Sequence, residues 1–178
     1  MEKKIAILRG INVGGKRKIL MTDLKSMLVE IGIMNAKTYI QSGNVIFESE
    51  LKNLELSLQI ESEILKKFGF DVPVIIKTRA ELKAAISSNP FFTSDADMSK
   101  LHLTFLNKKP SEKDIESLRS FDSKEDQFEI QGENIFIFCE GKYHQSKLTN
   151  NFFEKKLKVG ATTRNWKTVL KLMELSQD

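Results

Sequence analysis

The stretch from Ile5 to Phe47 most restricts what this chain can fold into. It opens on a short apolar run, Lys4 to Leu8, and passes through a glycine-rich basic segment, Arg9 to Lys18. An amphipathic helix follows, in which Leu24, Met27, Leu28 and Ile31 recur at i, i+3, i+4 and i+7. Thr22 is its expected N-cap, and Gly32 its expected left-handed terminator. Two strands, Ala36 to Ile40 and Asn44 to Glu48, flank the polar turn Gln41, Ser42 and Gly43. A second helix from Asn53 to Phe68 is expected to turn Leu54, Leu58, Leu65 and Phe68 inward. A strand from Val72 to Lys77 closes the set, and Pro73, which cannot donate to a ladder, places that strand at a sheet edge. Strand, helix, strand, strand, helix, strand is the order of a split βαβ, ferredoxin-like plait, whose fourth strand is an edge.

The second half repeats much of this order. Thr78 and Glu81 have capping-box spacing for a short helix, and Asn89 with Pro90 breaks the chain. Leu101 to Leu106 reads as a strand, and Ser111 with Asp114 caps a further short helix. Gln127 to Gln131 and Ile135 to Cys139 flank a turn at Gly132. Helices from Lys147 to Lys156 and from Arg164 to Leu175 finish the chain, so the second unit is expected to lack its final strand. The expected fold class is α+β: two ferredoxin-like (βαββαβ-type) α/β-plait subdomains, residues 1–78 and 79–178, the second carrying extra C-terminal helices. The repeat is one of pattern and not of residues.

Bulk properties narrow the function classes. A chain of 178 residues with 40% hydrophobic content can bury a core. Its apolar runs fall far short of the ~18 residues a membrane span needs, and Ile5 to Leu8 is too short for a signal-peptide core. One cysteine permits no disulfide within the chain, and with two histidines no Cys/His metal cluster is expected. No cofactor and no metal are expected, and the plain reading is a cytoplasmic protein without a membrane partner. The formal charge of +4 is uneven. Lys3, Lys4, Arg9, Lys16, Arg17 and Lys18 face only Glu2 in the N-terminal segment, and between Gly141 and Lys171 eight cations face Glu154 alone. Both ends attract anions if the fold exposes them, with a merely solvated surface as the plain alternative.

Gly10 to Lys16 satisfies G-x-x-x-x-G-K after a strand, the pattern of a nucleotide-phosphate loop. Arg17, however, stands where a magnesium-ligating hydroxyl belongs. The helix signal also begins too late for Lys16 to open it, and the sheet is antiparallel, so a magnesium-dependent NTPase is not expected. A looser anion site is the remaining functional reading. In a split βαβ unit the loop after the first strand and the turn between the next two lie at one end of the sheet. Arg9 and Lys16 would supply charge, Gly14 and Gly15 close backbone approach, and Gln41, Ser42 and Asn44 hydrogen bonds. The alternative is that the glycines serve turn geometry and the amides tie the two loops together.

Near the C-terminus, Ser146 beside Lys147 suggests a Ser–Lys pair, but adjacent helical residues do not face each other, and capping by Ser146 is the simpler reading. His144 has no partner in the pattern that would orient it. Trp166, Val169, Leu170 and Met173 form an apolar stripe, with Trp166 as a core anchor and Thr162 or Thr163 as the cap. Arg164 and Lys167 at a helix start would be explained by a bound anion, since cations are unfavourable there. His102 and Cys139 read as packing residues. An unbroken helix over Lys147 to Lys156 would hold Ser146 and Thr163 about 15 Å apart at 1.5 Å per residue.

The segments LRGINVGGK, MTDLKSMLVEIG, TYIQSGNVIF, FGFDVPV, SNPF, SKLTN and ATTRNWKTV together resemble a bacterial family, the domain of unknown function 1697 family, over nearly the whole chain. The resemblance implies two ferredoxin-like subdomains and no established activity, and it offers no catalytic residues. The residues themselves favour a binding protein for an anionic ligand, with candidate contacts Arg9, Gly14, Gly15, Lys16, Gln41, Ser42, Asn44, Lys147 and Arg164. A nucleotide or other phosphorylated small molecule precedes single-stranded RNA, because the first strand carries no aromatic residue for stacking. Two alternatives stand beside it: an enzyme acting on a phosphorylated metabolite, and a non-catalytic homodimeric interaction module.

Overall fold

Strand β1 (Glu2–Leu8) is the hub of the first sheet, which a computed structural model describes together with the rest of residues 1–177. Helix α1 (Met21–Glu30), strands β2 (Lys37–Tyr39) and β3 (Asn44–Ser49), helix α2 (Asn53–Phe68) and strand β4 (Val74–Thr78) follow in turn. The strands form one four-stranded antiparallel sheet in the order β2-β3-β1-β4. The alternation of β1 explains its apolar run: Ala6 and Leu8 join Val45, Phe47, Val74 and Ile76 under the two helices, and Ile5 and Ile7 on the other face are buried as well. Strand β4 is an edge as expected, but it begins at Val74, so Pro73 precedes it and lies outside the ladder.

Helix α1 ends as its glycine demands. Gly32 sits at φ +84°, the Ile33 amide donates to the Leu28 carbonyl and the Gly32 amide to that of Val29, which is the Schellman arrangement. Its start differs from expectation: Leu20 occupies the N-cap with no side-chain bond, and Thr22 lies inside the first turn. Helix α2 also corrects the sequence reading. Its buried face is Leu56, Ile60 and Ile64, whereas Leu54, Leu58 and Leu65 are exposed and Phe68 is half-buried. Both sets have helical spacing, so periodicity finds the helix without deciding which stripe meets the sheet.

After helix α3 (Arg79–Ser88) come β5 (Leu101–Leu106), α4 (Glu112–Glu116), β6 (Gln127–Gln131), β7 (Asn134–Phe138), α5 (Asn150–Leu157), β8 (Ala161–Asn165) and α6 (Trp166–Leu175). The second sheet is again four-stranded and antiparallel, in the order β6-β7-β5-β8. Strand β8 is the element the sequence reading omits. Thr162 and Thr163 pair with Phe105 and Thr104 of β5 and do not cap a helix. β-branched threonines suit a strand, and α6 is capped instead by Asn165, whose side-chain oxygen accepts from the Thr168 amide at 2.9 Å. The chain divides into two compact units, residues 1–83 with the chain end from Lys171, and Ala84–Leu170. No helix among the described residues is long and apolar enough to cross a membrane.

Candidate functional site

The segment after β1 folds back on itself as a two-residue β-hairpin. Val13 and Lys16 form an antiparallel bridge, the Lys16 amide donates to the Val13 carbonyl at 3.0 Å, and the Asn12 amide donates to that of Arg17 at 3.1 Å. Gly14 and Gly15 between them have φ of +57° and +73°, the paired positive values of a type I′ turn. The glycines are therefore required by turn geometry, and the Lys16 amide is spent within the turn.

Asn12 ties this hairpin to its surroundings. Its Nδ2 donates to the Ile19 carbonyl at 2.9 Å and to the Gln41 carbonyl at 2.8 Å, while its Oδ1 accepts from the Ile19 amide at 2.9 Å. Asn12 itself sits at φ +56°, a conformation asparagine tolerates better than most residues. The Leu8 amide donates to the Gly43 carbonyl at 2.8 Å, so the loop and the Gln41–Gly43 turn meet at one end of the sheet. Asn44 is fully buried, and its Nδ2 donates to the Tyr39 carbonyl and to Ser42 Oγ, both at 3.1 Å. Its amide N–H groups thus hold the turn. Gln41 is exposed, and Ser42 and Arg9 are half-buried.

The electrostatics of this rim are one-sided. Lys16, Arg17 and Lys18 are exposed, none of the three forms an ion pair among the described residues, and no acidic residue occurs between Glu2 and Asp23. Three aliphatic residues of the same segments, Val13, Leu20 and Ile40, are also exposed. Ile40 has φ +51°, an outlying conformation for a β-branched residue. The sequence reading missed Asn12 as the organising residue. An asparagine between two glycine-containing turns was the available signal.

The other two candidate contacts, Lys147 and Arg164, belong to the second unit. Arg164 lies within β8 and not at a helix start. It is buried, burial pulls its guanidinium down to about 10, and its Nη1 donates to the Thr163 carbonyl at 3.0 Å. Lys147 is exposed, with its ammonium 5.9 Å from the centre of the Phe121 ring. Lys167 does stand at a helix start, and the anion near it is Asp97. That carboxyl is held low by hydrogen bonds from Ser99, with the charges of Lys100 and Lys167 adding to the effect.

Ser146 does not cap α5; Thr149 does, accepting from the Phe152 amide at 3.1 Å. Ser146 Oγ instead donates to Asp126 Oδ2 at 2.6 Å and accepts from the Leu148 amide, while Asp126 Oδ1 accepts from the Glu140 amide at 3.0 Å. Ser146, Asp126 and Glu140 line an open cleft of about 330 Å³ with Lys124, Lys142 and Lys147 on its walls. Asp126, twenty residues away in sequence, was not legible as a partner of Ser146. Thr163 Oγ1 donates to Asn150 Oδ1 at 2.7 Å, so β8 runs back alongside α5 to its start. The expected separation of Ser146 and Thr163 to opposite helix ends is thereby corrected.

The remaining candidates are packing residues. Trp166 is fully buried against Phe92, with ring centroids 5.2 Å apart. Burial pushes the Cys139 thiol up to about 11, which leaves little thiolate near neutrality. His102 is buried and stacked on Tyr143 at 4.5 Å, and His144 is exposed. Among the described residues no group of three or more His, Cys, Asp or Glu side chains is placed to hold a metal ion.

Fold and rim together define a mixed α+β protein of two four-stranded antiparallel sheets, with a cationic hairpin at one end of the first. Residues 1–136 match the protein family of unknown function DUF1697, and the chain belongs to that family. The match ends before the SKLTN and ATTRNWKTV segments, so it covers less than the sequence resemblance suggested. Among solved structures, the conserved bacterial protein SP0830 from Streptococcus pneumoniae superposes with a TM-score of 0.79 at 24% identity, covering 99% of each chain. That likeness is one of fold. No curated protein matches the sequence.

Proposed function

We propose that this protein binds an anionic, phosphate-bearing ligand on the rim formed by the hairpin and the Gln41–Gly43 turn, and that each of its units is a ferredoxin-like plait. The observation that carries the reading is the Asn12 node, which ties down a hairpin whose Lys16, Arg17 and Lys18 are all exposed and form no ion pair among the described residues. Cations there cost little to keep solvated, and they attract phosphate at long range. Binding rather than catalysis is the better-supported role, because an open rim excludes water poorly and offers no sheltered nucleophile and base. The plait assignment is supported by the strand order β2-β3-β1-β4, repeated as β6-β7-β5-β8.

A nucleotide or another phosphorylated small molecule is the first ligand to try, and single-stranded RNA the second, since the exposed rim residues are aliphatic and not aromatic. Titration of the full chain with a panel of nucleoside di- and triphosphates and short RNAs, at low and raised salt, tests the reading. Binding that weakens with salt, and weakens again in the triple variant Lys16→Gln, Arg17→Gln and Lys18→Gln, is expected. An absence of salt-sensitive binding to any phosphate-bearing probe, phospholipid included, overturns it.

A further inference from the structure

Val13, Leu20 and Ile40 are 64%, 68% and 46% exposed, and each is one residue from an atom of the Asn12 node. Val13 follows Asn12, Leu20 follows Ile19 and Ile40 precedes Gln41, the two residues whose carbonyls Asn12 Nδ2 joins. The Asn12 side chain therefore draws the backbone of residues 12, 19 and 41 together, so three exposed aliphatic residues from three separate segments stand next to that node, in the same part of the fold as exposed Lys16, Arg17 and Lys18. A free phosphate compound gives no reason for the aliphatic groups, and a nucleic acid would stack on rings that the rim lacks. The backbone also holds Ile40 at a φ of +51° while leaving its side chain in water. A bilayer with anionic headgroups uses both halves of this surface: aliphatic tips enter the boundary between headgroups and acyl chains, and cations lie over the phosphates.

We propose that this rim docks the protein peripherally on an anionic lipid surface, with Val13, Leu20 and Ile40 entering the interface and Lys16, Arg17 and Lys18 pairing with headgroup phosphates. The inference rests on the anion-binding reading and names the source of the phosphate. It departs from the expectation of no membrane partner, which rested on the lack of a spanning segment. Docking on a surface needs no span, and a two-residue hairpin with an exposed valine at its neck can enter headgroups without a matching groove.

Co-sedimentation of the full chain with phosphatidylcholine vesicles, with and without phosphatidylserine, tests it. Binding only to the anionic vesicles is expected, weakened by salt and by about fivefold for each rim cation changed to Gln. The double variant Val13→Ser and Leu20→Ser changes only exposed side chains, so it keeps the circular dichroism of the parent, and it should lose most vesicle binding. Binding to nucleotide or RNA with none to anionic vesicles overturns the lipid inference and leaves the anion-binding reading intact. Vesicle binding indifferent to the serine variant also overturns it, because the aliphatic tips then have no part. Self-association abolished by Lys16→Gln, Arg17→Gln and Lys18→Gln, without vesicle binding, identifies a second copy as the occupant instead. Failure to bind any phosphate-bearing probe removes both readings.

Discussion

Replacing Gly43 by alanine measures how tightly the two loops of the rim are locked together. A Cβ at this position would stand 2.7 Å from Ile11 Cδ1, 2.8 Å from Leu8 Cβ and 3.0 Å from Ile11 Cγ1. Leu8 and Ile11 are fully buried, and Leu8 Cβ is fixed by a backbone whose amide donates to the Gly43 carbonyl. Relief must therefore come from movement of the turn. Gly43 also has φ +83°, which costs a residue with a Cβ about 1–2 kcal/mol. Overpacking a closed core adds about 1–3 kcal/mol, so the variant should lose about 2–5 kcal/mol in all. Gly14→Ala is the control. Its φ of +57° carries the backbone cost, but no atom lies within 4 Å of its Cβ. It should lose only about 1–2 kcal/mol. Urea unfolding followed by far-ultraviolet circular dichroism compares the two, and hydrogen exchange at the Leu8 amide reports the contact locally. If the variants are equal within about 0.5 kcal/mol, the close packing of Gly43 on Leu8 and Ile11 is refuted.

Asn12→Ala removes three hydrogen bonds and places alanine at φ +56°, and should cost about 2–3 kcal/mol, less than the sum because the Gln41 carbonyl can turn to water. Rapid exchange of the Ile19 amide, which donates to Asn12, would be its signature, and unchanged protection would disprove the node. On α2, Leu56→Ala should cost about 2–5 kcal/mol, whereas Leu58→Ala should stay within about 0.5 kcal/mol; denaturation midpoints that reverse this order would reject the observed helix face. Burial holds the His102 imidazole below its ordinary 6.5, with the nearby Lys100 backbone pulling more weakly the other way. The unfolded chain therefore binds more protons between that lowered value and 6.5, and stability should fall as pH drops through this window. His102→Phe should flatten that part of the stability–pH curve, and an unchanged slope would show that His102 is not its source.

Features completed within a few residues were legible in the sequence. The Thr78–Glu81 capping box closes as its spacing required, with reciprocal bonds of 3.1 and 2.7 Å, and Ser111 caps α4 by accepting from the Asp114 amide. Gly32 ends α1 at positive φ, and the strand that follows Pro73 is an edge. Each depends on one side chain and the backbone nearby, so the chemistry is local. The meeting of the hairpin with the Gln41–Gly43 turn was legible one level up, because strand order alone puts both at the same end of the sheet. Strand β8 was not, since threonines before a helix suit a cap as well as a strand, and the choice came from pairing with β5, some sixty residues earlier.

By itself, then, the sequence determined the succession of elements in the first unit, the glycine terminator of α1, the Gln41–Gly43 turn, and the concentration of positive charge after β1. Tertiary structure alone decided which leucines of α2 face the sheet, that Asp126 receives Ser146, that Arg164 is buried in a strand, and that Asn12 joins the hairpin to the backbone of Ile19 and Gln41. The division follows from range. A cap or a glycine turn satisfies its hydrogen bonds within its own few residues, whereas a buried face or a node takes its energy from partners that only the folded chain brings near.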